Sequence, residues 1–462
     1  MFLRRFSSFF SISVVLFACL LAGCSIAPSH EALPLQPPEH FSVQGGEHPV
    51  SDRWWHDFSD PSLDLLVERA LSNNFSLRSA WARLRQSEAV ARREGASRIP
   101  SLDMKGSVTH QDANDGERAT NRQLGFYAAY EIDLWGRVQA ASDAATLDAE
   151  ASQADLQTAA LSLSVTLANS WYQLVEQRSQ LKLIESQLEL NRQLLKLVEA
   201  RFRIGQVNAS DVFRQRQLLA QTEGQATQAE TQLGTLEHKM AILVGSPPGT
   251  PALPANSTLP LLGPLPATGL PADLLRRRPD LQAARLRLQA ADARTAEAVA
   301  ARYPRLDLSA ALTTPGASGG VFDNWLGNIV AQLSMPLFDG GQRRAEVART
   351  QAAAEVALSD YAQTLLEALG EVEDALTAEA GQRRYLASID AQLKALEAVA
   401  TQERQRYFQG DADYLSVLDA LRSRQALERQ QLSARRELIS NRIALVSSLA
   451  GGWSMTSKDV PQ

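Results

Sequence analysis

The chain has 462 residues, a formal net charge of −6 and a mean hydropathy of −0.20, and charged residues make up 21% of it. This composition describes a mostly water-facing protein without the basic excess that nucleic-acid partners require, so we expect no nucleic-acid binding. Both cysteines, Cys19 and Cys24, lie near the amino terminus. We therefore expect no internal disulfide in the mature body.

The first residues have the layout of a bacterial lipoprotein signal. Two arginines precede an apolar run, Phe9–Ala22, that is too short to persist as a membrane-spanning helix. The run leads into Leu21-Ala22-Gly23-Cys24, which resembles a lipobox, so we predict a signal peptide over 1–23 and a lipid on the Cys24 thiol. The alternative is an ordinary signal peptide with a chance cysteine. Ser25 follows the cysteine where Asp would retain the protein at the inner membrane, which favours the outer membrane.

The remaining chain contains a tandem duplication. Ile99–Asp103 matches Tyr303–Asp307 at an offset of 204 residues, and Arg201–Gly205 matches Arg406–Gly410 at an offset of 205. Matches in one order at one spacing indicate two structural repeats. The predicted segments are a lipidated tether (24–60), the first repeat (61–246), a proline-rich extended linker (247–271), the second repeat (272–452) and a C-terminal tail (453–462).

In each repeat a predicted helix precedes two predicted strands. The helix covers Ser62–Ala96 in the first copy and Pro279–Ala301 in the second, and a proline follows soon after each. Apolar and polar residues then alternate with period two, which predicts strands of about 9 to 11 residues, a length that crosses a bilayer when tilted. These segments are Leu102–Thr109, Leu124–Leu134, Leu306–Leu312 and Ile329–Leu337, and the loops 111–121 and 314–324 between them are polar or glycine-rich.

Long helical hairpins are predicted after the strands. Apolar residues recur every seven positions over Val138–Arg203, roughly 66 residues or about 100 Å of helix, and again in a shorter return arm, Val207–Val244. The second copy repeats the pattern over Gln342–Phe408 and in a return arm after Gly410. Two glycines, at 370 and 381, are expected to make this second long arm less regular.

Four strands from one chain cannot close a barrel, and lipid does not tolerate open sheet edges. The chain must therefore combine its strands with those of other copies. Two copies give eight strands, whose side chains nearly fill the interior, whereas three give twelve strands with room for water; symmetry alone does not exclude a larger ring. Polar side chains that would face this lumen are Asp103, Lys105, Glu131, Asp133 and Ser309.

Several motifs resemble the TolC-like outer-membrane efflux family, in its lipoprotein (NodT/OprM-like) branch. They occur in family order over nearly the whole mature chain and include Trp54-Trp55, Asp133–Arg137, Leu274–Leu281, Pro336–Gly341 and the segment 406–422. The resemblance implies an α+β membrane protein: a trimeric twelve-stranded outer-membrane β-barrel continued by a periplasmic coiled-coil tunnel. It also implies a tripartite efflux system, in which the channel docks to a periplasmic adaptor and an inner-membrane pump.

The same resemblance implies two sites. A periplasmic gate is expected at Leu415, Asp419 and Arg422, where threefold symmetry would stack an apolar ring on a ring of carboxylates, and Arg422 could pair with Asp419 or a neighbour. The simpler interpretation is that Asp419 and Arg422 form an ordinary exposed ion pair without a role in gating. The second site comprises the two helical-hairpin turns, where adaptor tips would dock, at Arg203, Gly205, Val207, Ser210, Phe408, Gly410, Asp411 and Asp413. Their simpler interpretation is that the glycines close helical hairpins.

The sequence offers no catalytic constellation. The six histidines lie at irregular spacing without the pattern of metal ligands, and no glycine loop has the Lys-Ser/Thr that a phosphate site requires. We therefore expect no enzyme, cofactor or metal site. The alternative function is a non-conducting coiled-coil scaffold lipoprotein. The predicted strands argue against it, because a periplasmic scaffold does not need strands long enough to cross a membrane.

Overall fold

The computed structural model describes residues 35–43, 45–46, 49–51, 53–112, 118–250, 253–254, 258–314 and 325–449. The predicted signal peptide, Cys24, the tail 453–462 and parts of both strand loops lie outside the described residues. Helices and strands follow one order twice: shorter helices, two strands, a long helix and a return helix. Their bounds are α1 Pro61–Asn73, α2 Phe75–Ala96, β1 Ser101–Asp112, β2 Arg118–Ile132, α3 Arg137–Arg203, α4 Ala209–Leu243, α5 Leu274–Arg277, α6 Pro279–Ala300, β3 Arg305–Thr313, β4 Leu326–Ser334, α7 Gln342–Gln409 and α8 Tyr414–Leu449.

The chain forms two compact units, and each unit draws on both repeats. The sheet unit contains residues 82–154 and 282–364, and the helical unit contains residues 37–81, 155–281 and the chain from 365 onward. A duplication therefore does not produce two separate domains here. Matching segments of the two copies pack together instead.

The sheet unit is built on four antiparallel strands in the order β1-β2-β3-β4. Leu102 lies opposite Ala128, Tyr130 opposite Leu308, and Leu306 opposite Leu333, so the apolar sets of all four strands share one face. The strands have 12, 15, 9 and 9 residues. The predicted bounds of the fourth strand were wrong at the C-terminal end. β4 stops at Ser334, so Met335 and Leu337 lie beyond it.

The two long hairpins turn at glycines. Gly205 and Gly410 have φ angles of +76° and +85°, a left-handed conformation that side chains with a Cβ rarely adopt. Gln206 N–H donates to the Arg201 carbonyl and Asp411 N–H to the Arg406 carbonyl, both at 2.9 Å, which satisfies carbonyls left open at the helix ends. The same termination motif therefore closes both copies.

Two helix predictions need correction. The segment predicted as one helix over Ser62–Ala96 is broken at Asn74, whose ψ of 127° ends α1. The Asn74 Oδ1 accepts the Ser76 and Leu77 N–H groups and so caps α2, while its Nδ2 donates to the Leu243 carbonyl. The expected irregularity of the second long arm is absent from the described backbone, because α7 runs unbroken through Gly370 and Gly381.

The helical unit is anchored by tryptophans. Trp54 and Trp55 are fully buried in a 3-10 turn that precedes α1. The Trp54 indole donates to Ser164 Oγ at 3.2 Å, and the Trp171 indole donates to the Asp60 carboxylate at 2.7 Å. Asp60 also accepts N–H groups from the first turn of α1, so one carboxylate both caps that helix and ties it to α3.

The proline-rich linker is held against the helices in its described part. Glu379 on α7 is fully buried and binds the guanidinium of Arg442 on α8 through contacts of 2.6 and 2.8 Å. Arg442 also donates to the carbonyls of Gly263 and Pro264, and Arg383 donates to Gly263 and Glu379. The buried ion pair therefore holds this part of the linker, here called the strap, against α7 and α8.

Candidate functional site

The sheet presents one apolar and one polar face. Asp103 lies opposite Tyr127, Glu131 opposite Asp307, and Ser309 opposite Ala129, on the face that alternates with the apolar one. Lys105 shares this face, and its Nζ lies 5.1 Å from the centre of the Tyr127 ring. Four of the five predicted lumen residues are therefore on the polar face.

Asp133 was predicted to face the lumen from a strand, and this placement is wrong. β2 ends at Ile132, and the Asp133 carboxylate accepts the Gln139 N–H at 2.8 Å in the first turn of α3. A carboxylate that satisfies an open N–H at a helix start is a capping group. Neighbouring Trp135 marks the same junction, stacking on Tyr303 at 4.9 Å between ring centres.

The candidate gate lies on α8, whose first turns bury one apolar stripe. Tyr414, Leu418, Leu421 and Gln425 are all buried and recur with helical spacing. Tyr414, Leu418 and Leu421 pack with Val198 of α3 and with Val212 and Leu218 of α4 in one cluster. The stripe fixes which face of α8 points away from these helices.

Two hydrogen bonds join α8 to α4 at this end. The Tyr414 hydroxyl donates to Gln215 Oε1 at 2.6 Å, and the Arg422 guanidinium donates to Gln217 Oε1. Burial raises the pKa of the Tyr414 phenol well above its usual value, so the hydroxyl keeps the proton that it donates. The two bonds lie eight residues apart on α8 and hold its first two turns.

Leu415 and Asp419 lie beside this stripe, on the same flank of α8 as Arg422. Leu415 is half-buried and Asp419 is exposed, one turn apart. The Arg422–Asp419 pair expected from the spacing is absent from the described part of the chain, since Arg422 reaches across to Gln217 on another helix. Arg422 Nε–H is nonetheless buried and lacks a hydrogen-bond partner within those same residues.

A buried polar network behind the gate was missed at the level of sequence. Asn191 on α3 is fully buried; its Nδ2 donates to Thr222 Oγ1 at 3.0 Å, and its Oδ1 accepts Gln425 Nε2 at 3.2 Å. Its carbonyl accepts Gln215 Nε2 at 2.9 Å, and Gln215 accepts the Tyr414 hydroxyl. The sequence did contain a signal for this network. Polar residues occupy core positions of the heptad pattern, and buried amides need hydrogen-bond partners.

The predicted docking residues lie at the tips of the two hairpins. Hairpin 1 is α3–α4 with its turn at 204–208, and hairpin 2 is α7–α8 with its turn at 410–413. The Arg201 guanidinium lies 4.8 Å from the Tyr407 ring centre and 5.0 Å from that of Phe408, so the tips touch. The predicted tip residues are exposed except Val207, which is half-buried: Arg203, Gly205, Ser210, Phe408, Gly410, Asp411 and Asp413.

Among the described residues, no group of three or more His, Cys, Asp or Glu side chains could hold a metal ion. The described helices include none that is long and apolar enough to span a membrane. Three features of the described residues are candidates for function. They are the sheet with one apolar and one polar face, the start of α8 with Leu415 and Asp419, and the exposed hairpin tips.

A four-stranded sheet with one apolar face, joined in one chain to two copies of a long heptad hairpin, is typical of one class of outer-membrane channel. In this class each chain contributes four strands to a shared barrel. A family model described as outer membrane efflux protein matches residues 66–246 and 270–451. The chain belongs to the outer membrane efflux protein family. It is an outer-membrane efflux channel with a periplasmic portion.

Individual relatives support this assignment over nearly the full length. The pyoverdine export outer membrane protein OpmQ of Pseudomonas putida is 32% identical over 456 residues, covering 95% of this chain and 96% of the relative. The solvent efflux pump outer membrane protein SrpC of Pseudomonas putida is 30% identical and covers 96% and 99%. The solved structure of the outer-membrane channel OprN gives a TM-score of 0.86 at 31% identity, covering 94% of this chain and all of that one.

These comparisons confirm the predicted family and fold class, in which three chains with four strands each build a twelve-stranded barrel that carries long periplasmic helices. They favour the channel over the scaffold, because the matched relatives are efflux proteins. The relatives are transport proteins rather than enzymes.

Proposed function

We propose that this channel conducts small molecules from a periplasmic adaptor and an inner-membrane pump to the exterior, and that the start of α8 is its gate. The observation that carries the gate is the pairing of α8 with α4 through Tyr414–Gln215 and Arg422–Gln217. Leu415 and Asp419 lie between these two contacts along α8, one helical turn apart. Opening would move α8 away from α4 and would break both bonds.

Threefold symmetry turns these two positions into rings. Three copies of Leu415 would narrow the axis with apolar side chains, and three copies of Asp419 would place an anionic ring one helical turn away. Like charges drawn together repel, so the closed form needs restraints that oppose the repulsion. Packing at Leu415 and the bond from Arg422 to Gln217 supply them.

Arg422 has a second role in this proposal. Its side chain is only partly buried in the single chain, so it can also meet an adjacent subunit. The Asp419 carboxylate of that subunit is the acceptor that the ring geometry would offer. This intersubunit pair replaces the intrahelical pair suggested by spacing.

The gate is tested by single-channel conductance in planar bilayers. Leu415→Ala and Arg422→Glu remove one restraint each, so conductance should rise, and cells should admit large antibiotics such as vancomycin. Asp419→Ala should chiefly weaken cation preference and divalent block. The repeat offset supplies matched controls in hairpin 1, Ser210→Ala and Arg214→Ala, which should conduct like wild type. If all three gate variants also conduct like wild type, the constriction lies elsewhere.

Two further assignments belong to this function. Cys24 would carry diacylglycerol and palmitate and anchor the chain to the outer membrane, supported by the lipobox-like Leu21-Ala22-Gly23-Cys24. The hairpin tips would dock the adaptor, supported by their exposed side chains.

The relatives are named for exporting pyoverdine and for solvent efflux, so a common channel serves different cargoes and the pump would select among them. A wild-type trimer without any conductance would favour the scaffold.

A further inference from the structure

The apolar face of the sheet carries positive charge at its loop end. On β2 the apolar set of this face runs from Leu124 to Ile132, and Arg122 is the next residue of the same face towards the loop. Arg122 is exposed and forms no ion pair within the described residues. On β1 it lies opposite Val108, and His110 follows two residues nearer the loop. A guanidinium therefore borders the apolar surface, and the described part of the chain offers it no carboxylate.

The spacing along β2 places Arg122 at the outer edge of the membrane. All four strands join helices at one end of the sheet, and the helices lead to the periplasmic portion, so the loop end points to the outer leaflet. From Leu124 to Ile132 is about 27 Å of strand, or about 20 Å of height at a tilt of about 40°, close to the apolar band of a membrane barrel. Phe126 stacks on Trp325 at 6.3 Å between ring centres, as suits aromatic residues near a membrane interface. Arg122 thus lies at headgroup depth, where a charged side chain costs little.

We propose that Arg122 binds the phosphate group of a phosphorylated lipid in the outer leaflet, and that the acyl chains of this lipid lie on the apolar residues below. A guanidinium binds phosphate through two parallel N–H donors. His110 Nδ1 contacts Thr120 Oγ1 at 2.9 Å, which holds two further polar side chains beside the guanidinium. Val108 is 70% exposed and Phe126 is 39% exposed, so acyl chains would meet apolar surface directly beneath the phosphate. A free phosphate ion would leave that surface uncovered, so the chemistry favours a lipid.

The proposal is tested on the full-length trimer in detergent by native mass spectrometry with two lipid probes. One probe is lipid A with its phosphates, and the other is the same lipid A after enzymatic removal of the phosphates. Wild-type trimer should retain the phosphorylated probe at up to one molecule per chain. It should bind that probe at least about tenfold more tightly than the dephosphorylated one, a difference of about 1.4 kcal/mol. Equal retention of both probes would overturn the proposal, and this comparison needs no variant.

Variants of Arg122 test the residue itself. Arg122→Gln should weaken binding of the phosphorylated probe about tenfold. Arg122→Lys should weaken it only about threefold, because lysine keeps the charge but loses the paired donors. The control Lys105→Gln removes one positive charge from the polar face of the same sheet and should change binding less than about twofold.

Three results with these variants and with phosphate would contradict the lipid site. They are unchanged binding in Arg122→Gln, an equal loss in Lys105→Gln, and full displacement of the lipid by a millimolar excess of inorganic phosphate. The last result would mean that the site recognises the free ion rather than a lipid. The proposal is independent of the gate and of the adaptor, so conductance of the wild-type channel tests the proposed function separately.

Discussion

Asn191 offers a sharp test of how the helices behind the gate are held together. Replacing it with Leu keeps a similar volume but removes the bond to Thr222 and the acceptor for Gln425. Thr222 keeps its bond to the Leu218 carbonyl at 2.8 Å, so it loses little. Gln425 is only 2% exposed, and its amide is left without that acceptor.

The magnitude follows from these contacts. A lost hydrogen bond costs about 0.5–1.5 kcal/mol, and a buried unsatisfied amide costs about 1–3 kcal/mol. Asn191→Leu should therefore destabilise each chain by roughly 2–4 kcal/mol. Gln193, on the exposed side of α3, provides the control: Gln193→Leu should change stability by less than about 0.5 kcal/mol.

The double variant Asn191→Leu/Gln425→Leu removes both partners, so the unsatisfied amide disappears. It should be less destabilised than the sum of the single variants by at least about 1 kcal/mol. Thermal unfolding of the detergent-solubilised trimer, followed by circular dichroism at one scan rate, measures the series. Single variants that unfold like wild type, or a double variant that shows strict additivity, would refute the coupled network.

Three further predictions concern the anchor, the strap and the sheet. Cys24→Ser should abolish labelling by a palmitate analogue and leave the precursor uncleaved at that site; unchanged labelling would exclude this cysteine as the lipid site. Glu379→Gln leaves the buried Arg442 guanidinium uncompensated and should lower stability by about 3–5 kcal/mol, whereas Glu346→Gln at an exposed pair should leave the melting temperature unchanged. Ile329→Lys puts a charge on the apolar face and should reduce assembled trimer on gels, an effect of about 2–4 kcal/mol at the bilayer midplane. Asn328→Lys, on the polar face, should assemble normally, and equal assembly of both variants would contradict the assigned faces.

The local elements and their order follow from the sequence alone. Strand faces follow from period-two alternation, which is a property of neighbouring residues, and β1 and β3 begin within a residue of their predicted starts. The long helices follow from heptads uninterrupted by proline, bounded by turns at Gly205 and Gly410. Duplication then predicted the second copy from the first, and motifs in family order predicted the channel class.

Which polar groups meet, by contrast, depends on how the helices pack in three dimensions. Arg422 was expected near Asp419, three residues away, yet its bond goes to Gln217, 205 residues away, because α4 and α8 pack side by side. The break at Asn74 likewise depends on a partner in α4, the Leu243 carbonyl, that no local pattern contains. Periodicity fixes the face on which a side chain lies, but the partner it finds depends on which helices that face is packed against.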